Sequence, residues 1–257
     1  MMGYPEIGKN KQIIIAMIER NFKGKYGNGY IRIWWNFIAP VLLILAVYFV
    51  FISIKEISLD SNFWIYLSSS IFCVTFCSGC LRGRALVNNS NYIKKMAIPR
   101  WIPIFADVVS QFIILLISYI IMMIAMFACG HGMDVSAILF LPLELVLLFI
   151  FAFGLSMAVS VLSVVSYDFG YFVMILSRIV IWLTPTFFTL DDVNDTLVTA
   201  TFCNPFTYFV ETFHHIFYYV TPPDLWFVGM SALFAAVFLI AGVIIFRLAD
   251  KKLADVI

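Results

Sequence analysis

The stretch that most constrains this chain is residues 82–100, RGRALVNNSNYIKKMAIPR. It carries five of the 16 Lys and Arg residues and no Asp or Glu. Apolar segments long enough to cross a membrane flank it at 63–81 and 108–128. A basic loop without acidic residues between two such segments is typical of the cytoplasmic side of a membrane protein. We therefore predict that this stretch, called the basic loop below, lies in the cytoplasm.

The composition is typical of a chain that is embedded in a membrane. Of its 257 residues, 63% are hydrophobic and 12% are charged. That charged fraction is about half that of an ordinary soluble domain. We therefore predict an all-α integral membrane protein in which residues 1–257 form a single transmembrane domain.

Six apolar segments are predicted to span the membrane. They cover residues 34–54, 63–81, 103–128, 135–165, 169–190 and 225–246. With both chain ends in the cytoplasm, 14 of the 16 cations fall on the cytoplasmic side, while Lys55 lies outside and Arg178 lies within the fifth span. An odd number of spans would put one basic cluster outside, so six spans fit the charge distribution best.

Residues 11–26, before the first span, are too charged to cross a membrane. On a helical projection, Ile14, Ile15, Ile18 and Phe22 share one face and the charged residues share the other. This pattern predicts an amphipathic helix in the membrane interface. The alternative is a charged tail that precedes the first span.

The fourth span carries small residues every four positions. Ala152, Ser156 and Ser160 share one stripe, with Gly154 and Ala158 beside it. Small side chains let helix backbones approach closely within a membrane. We expect this span to pack tightly against neighbouring helices.

Two ionisable residues interrupt the apolar spans, Glu144 and Arg178. A charge at mid-membrane costs about 2.5–3.5 kcal/mol even on a lenient scale, so it usually faces a partner or water. Glu144 is equally compatible with a polar path and with a structural pair. For Arg178 we favour a buried structural or gating pair over direct contact with a substrate.

The segment 191–224 is predicted to lie outside the cytoplasm, because it has five acidic residues and no Lys or Arg. Within it, the aromatic residues 206, 209, 213 and 217 fall on one helical face, opposite a polar face that includes Tyr208, Glu211 and His214. We predict an amphipathic or re-entrant helix whose aromatic and polar surface lies near the exit of a pore. Glu211-x-x-His214 is half of a carboxylate–histidine metal site, but the chain has no second half.

Residues 91–100, NYIKKMAIPR, resemble the N-x-I-K-K-x-x-[FI]-P-R stretch of ABC-2 type permeases that export polysaccharides such as O-antigen, capsule and teichoic acid. Further pieces match in the same order: Gly154-Leu155-Ser156 with Asp168 downstream, Thr184-Pro185-x-Phe187, and Asn204-Pro205-Phe206. The match extends over nearly the whole chain. Tyr167 departs from it, since the family usually has Arg before the Asp.

The resemblance implies a homodimeric permease, not an enzyme, in the cytoplasmic (inner) membrane, with both termini cytoplasmic. Two copies of a separate ATPase subunit would hold ATP and Mg, and no cofactor or nucleic acid would bind this chain. The cargo would be an undecaprenyl-linked glycan, and the chain would also contact membrane lipids. The residues implied to couple transport to ATP hydrolysis are Asn91, Tyr92, Lys94, Lys95, Pro99, Arg100 and Asp168. Those nominated for the pore or its gate are Arg178, Glu144, Tyr48, Phe187, Tyr208, Glu211 and Tyr218.

Three other functions compete with this one. The first is a permease of the same architecture for a smaller lipid or drug. The second is a membrane enzyme that acts on lipid-linked intermediates, with Glu211 and His214 as its acid–base groups. The third is a passive scaffold or channel.

Overall fold

A computed structural model describes residues 7–26, 38, 40–50, 62–82, 85–90, 92–93, 98–190 and 193–256. These residues are mostly helical and include no β-strand. We number the helices in chain order: α1 (Ile7–Tyr26), α2 (Pro40–Val50), α3 (Phe63–Arg82), α4 (Ala85–Asn88), α5 (Trp101–Ala128), α6 (Val135–Ile138), α7 (Leu141–Val165), α8 (Tyr167–Trp182), α9 (Asp195–Phe202), α10 (Pro205–Phe217) and α11 (Leu225–Val256).

Four helical segments in the described residues are long and apolar enough to cross a membrane: Phe63–Leu81, Trp101–Ala128, Val135–Val165 and Leu225–Ala249. They correspond to the second, third, fourth and sixth predicted spans. The first predicted span corresponds to the shorter apolar helix α2, and parts of it, with Lys55, lie outside the described residues. The total of six spans stays a prediction.

The fifth predicted span, 169–190, is a shorter helix than expected. α8 ends at Trp182, and residues 183–190 form turns. Pro185 explains this end, because a proline has no backbone N–H to donate and disfavours helical conformation in the residue before it. Pro142 has a similar effect in the fourth span, where Leu139 and Phe140 form a turn between α6 and α7.

α7 lies between α3 on one side and α11 on the other. Ser156 of α7 faces the carbonyl of Cys80 on α3, at 3.5 Å from the hydroxyl oxygen. A Cβ atom added to Gly154 would lie 2.5 Å from the backbone of Leu239 on α11, and one added to Gly242 would collide with the carbonyl of Gly154. The predicted packing of the small residues in α7 is confirmed at both of these contacts.

α1 packs along the first part of α5. Met17 is buried against Ile102 and Ala106, and the flanking isoleucines 13, 14 and 18 join the same cluster. Ile15, which we placed on the apolar stripe, is exposed. The face packed on α5 follows residues 13, 14, 17 and 18, which include Ile14 and Ile18 of the predicted stripe, and the placement of α1 in the membrane interface stays a prediction.

Candidate functional site

Arg20 of α1 joins this helix to the basic loop. Its guanidinium donates a hydrogen bond to the side-chain oxygen of Asn89 and lies over the ring of Tyr92, 4.5 Å from the ring centroid. The amide nitrogen of Asn89 in turn donates to the carbonyl oxygen of Ala85, at 2.6 Å, in α4. We call Arg20, Asn89 and Tyr92 the Arg20 cluster. It fixes the position of α1 relative to the basic loop.

A cavity of about 400 Å³ lies beside the Arg20 cluster, between α1 and the basic loop. Its lining is mainly apolar and consists of Gln12, Ile13, Ala16, Met17, Arg20, Tyr92 and Ile98. A second contact between α1 and α5 is polar, since the amide of Asn21 donates to the hydroxyl of Ser110 at 3.5 Å. α1, the basic loop and the start of α5 are thus connected side by side.

The predicted coupling residues fall in two places. Tyr92 is exposed apart from its contact with Arg20, and Pro99 and Arg100 lead into α5, with the Pro99 carbonyl accepting from the Ile102 N–H at 3.0 Å. Asp168 is exposed in the first turn of α8, where a helix favours negative charge. Asn91, Lys94 and Lys95 lie outside the described residues.

The turn after α7 is very short. Ser166, in an extended conformation, is the single residue between α7 and α8, and its carbonyl accepts from the Phe169 N–H at 3.2 Å. A turn this tight holds the start of α8 directly at the end of α7. The side chain of Tyr167, where the family usually has Arg, is not among those described.

Tyr66 of α3 connects the turn after α8 with α10. Its hydroxyl lies 2.7 Å from the carbonyl oxygen of Phe188 and 3.1 Å from that of Pro185, so it donates to this turn. The ring of His214 on α10 stacks on the Tyr66 ring with 3.6 Å between centroids. The sequence analysis did not identify Tyr66.

Asn204 also connects the turn after α8 with the start of α10. Its side-chain nitrogen donates to the hydroxyl of Thr184, at 2.8 Å, and its side-chain oxygen accepts from the Phe206 N–H at the start of α10. The Thr184-Pro185-x-Phe187 and Asn204-Pro205-Phe206 stretches, separate in the sequence, are therefore in contact. Phe187 itself is half-buried and packs on Trp182, 5.0 Å between ring centroids.

α10 is buried on nearly every side, which corrects the predicted polar surface. Tyr208 is buried and donates through its hydroxyl to the Phe202 carbonyl at 2.9 Å. Glu211 is 5% exposed and His214 is 0% exposed, with 3.5 Å between the carboxylate oxygen and Nδ1. Tyr218 is half-buried with its ring edge toward Tyr66. The described residues hold no group of three potential metal ligands.

Glu144, Arg178 and Tyr48 occupy different surroundings. Glu144 is completely buried, with Ser231 of α11 as its polar neighbour. Its role, in a polar path or in a structural pair, stays a prediction. Tyr48 is half-buried against the main apolar cluster. Arg178 is exposed on α8 and makes no ion pair with any described residue, so the buried pair that we favoured is not formed among these residues.

Asp134 stabilises the short turn between α5 and α6. Its carboxylate accepts from the backbone N–H of Ser136, at 3.3 Å, and from the hydroxyl of the same residue. These hydrogen bonds lower the pKa of Asp134 below its ordinary value.

The family model described as ABC-2 type transporter matches residues 12–218, which run from within α1 through the basic loop to the end of α10. No curated protein matches the sequence.

Proposed function

Because this chain belongs to the ABC-2 type transporter family, we propose that it is the membrane subunit of an ATP-driven exporter of a lipid-linked polysaccharide. Membership of the family makes it a transport permease, and ABC transporters work with ATPase subunits. The cargo, a homodimeric assembly and an inner-membrane location with cytoplasmic termini are parts of our proposal.

The observation that carries the proposal is the Arg20 cluster. A force applied to the basic loop reaches α1 through Arg20, and it reaches α5 directly along the chain after Arg100. A transporter driven by separate ATPase subunits needs such a connection, because energy must pass from the cytoplasmic surface to the helices that move. The basic charge of the loop suits an acidic surface on the partner.

In the proposed mechanism, ATP hydrolysis in two partner subunits displaces the basic loop and the Ser166 turn. The loop would move α1 and α5 together, and the turn would move α8 at Asp168. A second copy of this chain would complete the pore, since α2 and α8 each leave large apolar side chains exposed, among them Leu45, Phe49 and Phe172.

The choice of a glycan cargo is supported by the resemblance of residues 91–100 and by the aromatic content of 18%. Aromatic rings offer apolar faces to the C–H faces of sugars. Of the aromatic residues nominated for the pore, Tyr48, Phe187 and Tyr218 are half-buried, whereas Tyr208 is buried within the protomer. The first three are therefore the ones we retain.

The alternative of a membrane enzyme is less well supported. It needs Glu211 and His214 to reach a substrate, and both are buried, His214 under the ring of Tyr66. The two cavities described for this chain are lined by other residues. A smaller lipid or drug as cargo remains an alternative that the experiment below separates from a polysaccharide.

The test is to purify the tagged full chain from its native membrane and to delete its gene in parallel. We expect an ATPase subunit to copurify and a polysaccharide to accumulate inside the deleted cells. An ATPase partner together with normal polysaccharide export would exclude the glycan and leave a smaller cargo. Absence of any ATPase from the purified protein would contradict the transport mechanism itself.

A further inference from the structure

Arg178 lies on the side of α8 that faces away from the rest of the protomer. α8 packs on α3 and α7 through a face that includes the buried residues Val173 and Ser177. Arg178 is exposed beside a face on which Ile175 is 57% exposed and Trp182 is 70% exposed. This side of α8 therefore meets something other than the described part of the same chain.

The depth of Arg178 follows from its distance to Asp168. The two residues are ten positions apart on one helix, which at 1.5 Å per residue is about 15 Å. The proposed orientation places Asp168 at the cytoplasmic boundary, and Arg178 then lies near the middle of a hydrocarbon core about 30 Å thick. A guanidinium at that depth is strongly disfavoured in contact with lipid tails.

Within the described chain, nothing neutralises this charge. The guanidinium of Arg178 makes no hydrogen bond or ion pair with any described residue. A cation kept at mid-membrane in this situation normally faces water or an anion.

We propose that the exposed side of α8 lines a water-containing path and that Arg178 binds an anionic group, phosphate or carboxylate, of the cargo as it passes. This inference rests on the proposed transport function and narrows its substrate class to acidic molecules. A guanidinium suits this role because it stays charged and presents a planar fork of donors that matches phosphate and carboxylate oxygens. The anion would come from a lipid pyrophosphate carrier or from acidic groups of the glycan.

The test uses the full chain in lipid nanodiscs, with a cysteine at Trp182 as reporter. Trp182 is one helical turn beyond Arg178, on the same side of α8. The exposed Cys129 and Cys203 are first replaced by Ser, since they would react as well. The measurement is the ratio of the reaction rates of the Trp182→Cys thiol with a negatively and a positively charged methanethiosulfonate reagent.

We expect the anionic reagent to be favoured while Arg178 is present. Arg178→Gln should lower the ratio about tenfold, because a cation concentrates anions near it. Arg178→Lys should retain most of the preference. Ile175→Cys is a second reporter in case Trp182→Cys does not fold. Val135→Cys at the start of α6, 73% exposed beside the Asp134 turn, is the control, and its ratio should not respond to Arg178→Gln.

Two outcomes would overturn the inference. One is that neither α8 reporter reacts with either reagent, which would place this side of α8 in lipid. The other is a ratio that Arg178→Gln leaves unchanged. Both leave the ATPase copurification test untouched, so failure of this inference and failure of the proposed function are distinguishable.

A competition measurement identifies the source of the anion. The probes are farnesyl pyrophosphate, inorganic pyrophosphate and a phosphate-free acidic oligosaccharide. Slower labelling with either pyrophosphate alone would support a phosphate of the carrier, and slower labelling with the oligosaccharide alone would support acidic groups of the glycan. If no probe slows the labelling in the Arg178 protein, Arg178 does not bind the anionic cargo.

Discussion

Arg20 connects two elements through contacts that are individually modest. Its contact with the Tyr92 ring is worth about 0.5–1 kcal/mol at an exposed site, and its hydrogen bond to Asn89 about 1.5–3 kcal/mol. Arg20→Gln should therefore reduce export severalfold while changing the membrane abundance of the protein little. Export and abundance are measured in the same cells. Lys11→Gln, at an exposed position of the same helix, is the matched control. An equal loss of export and abundance would make the Arg20 cluster purely structural.

The hydroxyl of Tyr66 donates to backbone carbonyls of the turn after α8. Tyr66→Phe keeps the ring that stacks on His214 and removes the hydroxyl that lies near the Pro185 and Phe188 carbonyls. We expect it to lower the free energy of unfolding by about 1–3 kcal/mol, because buried carbonyls lose their donor. Thermal unfolding of the purified protein measures this. Tyr92→Phe removes an exposed hydroxyl and should leave the melting temperature unchanged. A similar melting temperature for both variants would show that the Tyr66 bond is not needed.

These two residues mark the limit of what the sequence predicts at the residue scale. The basic loop and the segment around α10 were identified from their charge and spacing, but their contacts were not. Arg20 and Asn89 are 69 positions apart, and Tyr66 is 119 positions from Pro185. A local pattern contains no information about such a distant partner. For the same reason Tyr208 and Glu211 were assigned to a surface although packing buries them.

At the scale of the elements, α7 and α11 approach each other closely at Gly154 and Gly242. Gly154→Ala and Gly242→Ala each place a methyl group in the backbone of the facing helix. We expect a destabilisation of about 1–3 kcal/mol for each, since the helices must separate to admit it. Gly229→Ala, in α11 with no atom within 4 Å of the added carbon, is the control. The measurement is thermal unfolding in detergent. If the Gly154 and Gly242 variants have the same melting temperature as the Gly229 variant, the close contact does not contribute to stability.

Helix positions were predictable because hydrophobicity determines them, whereas helix ends and contact faces depended on other effects. The stripe of small residues in α7 identified a packing face correctly, because a close contact has few alternatives. The end of α8 was placed eight residues too late, since an apolar run continues past Pro185 although the helix does not. The face of α1 that packs on α5 was not predicted, because three consecutive isoleucines, 13–15, fit more than one orientation.

At the scale of the whole molecule, the prediction concerns the basic loop as a contact with the ATPase subunits. Replacing Lys94 and Lys95 together by Glu should abolish export and leave membrane insertion intact, because reversed charges repel an acidic partner surface. Export and copurification of the ATPase are the two measurements. The control is the pair Lys251→Glu and Lys252→Glu near the end of the chain, which should export normally. Unchanged export by the Lys94 and Lys95 variant would remove the loop from the coupling mechanism.

The orientation of the molecule in the membrane has a direct test. A Lys94→Cys thiol, with Cys129 and Cys203 replaced by Ser, should resist a membrane-impermeant thiol reagent in intact cells and react after permeabilisation. The positive-inside distribution of charge requires this result. Labelling in intact cells would reverse the topology and, with it, the assignment of the basic loop to the ATPase side.

The contact between Gly154 and Gly242 also limits how far α7 and α11 can move relative to each other during a transport cycle. Two helices whose backbones are in contact move together, because sliding or tilting one against the other would first require them to separate. We therefore expect α7 and α11 to move as one unit. In the proposed transport cycle, α8 would shift relative to this unit, because it follows α7 after the single residue Ser166 and packs on both α3 and α7.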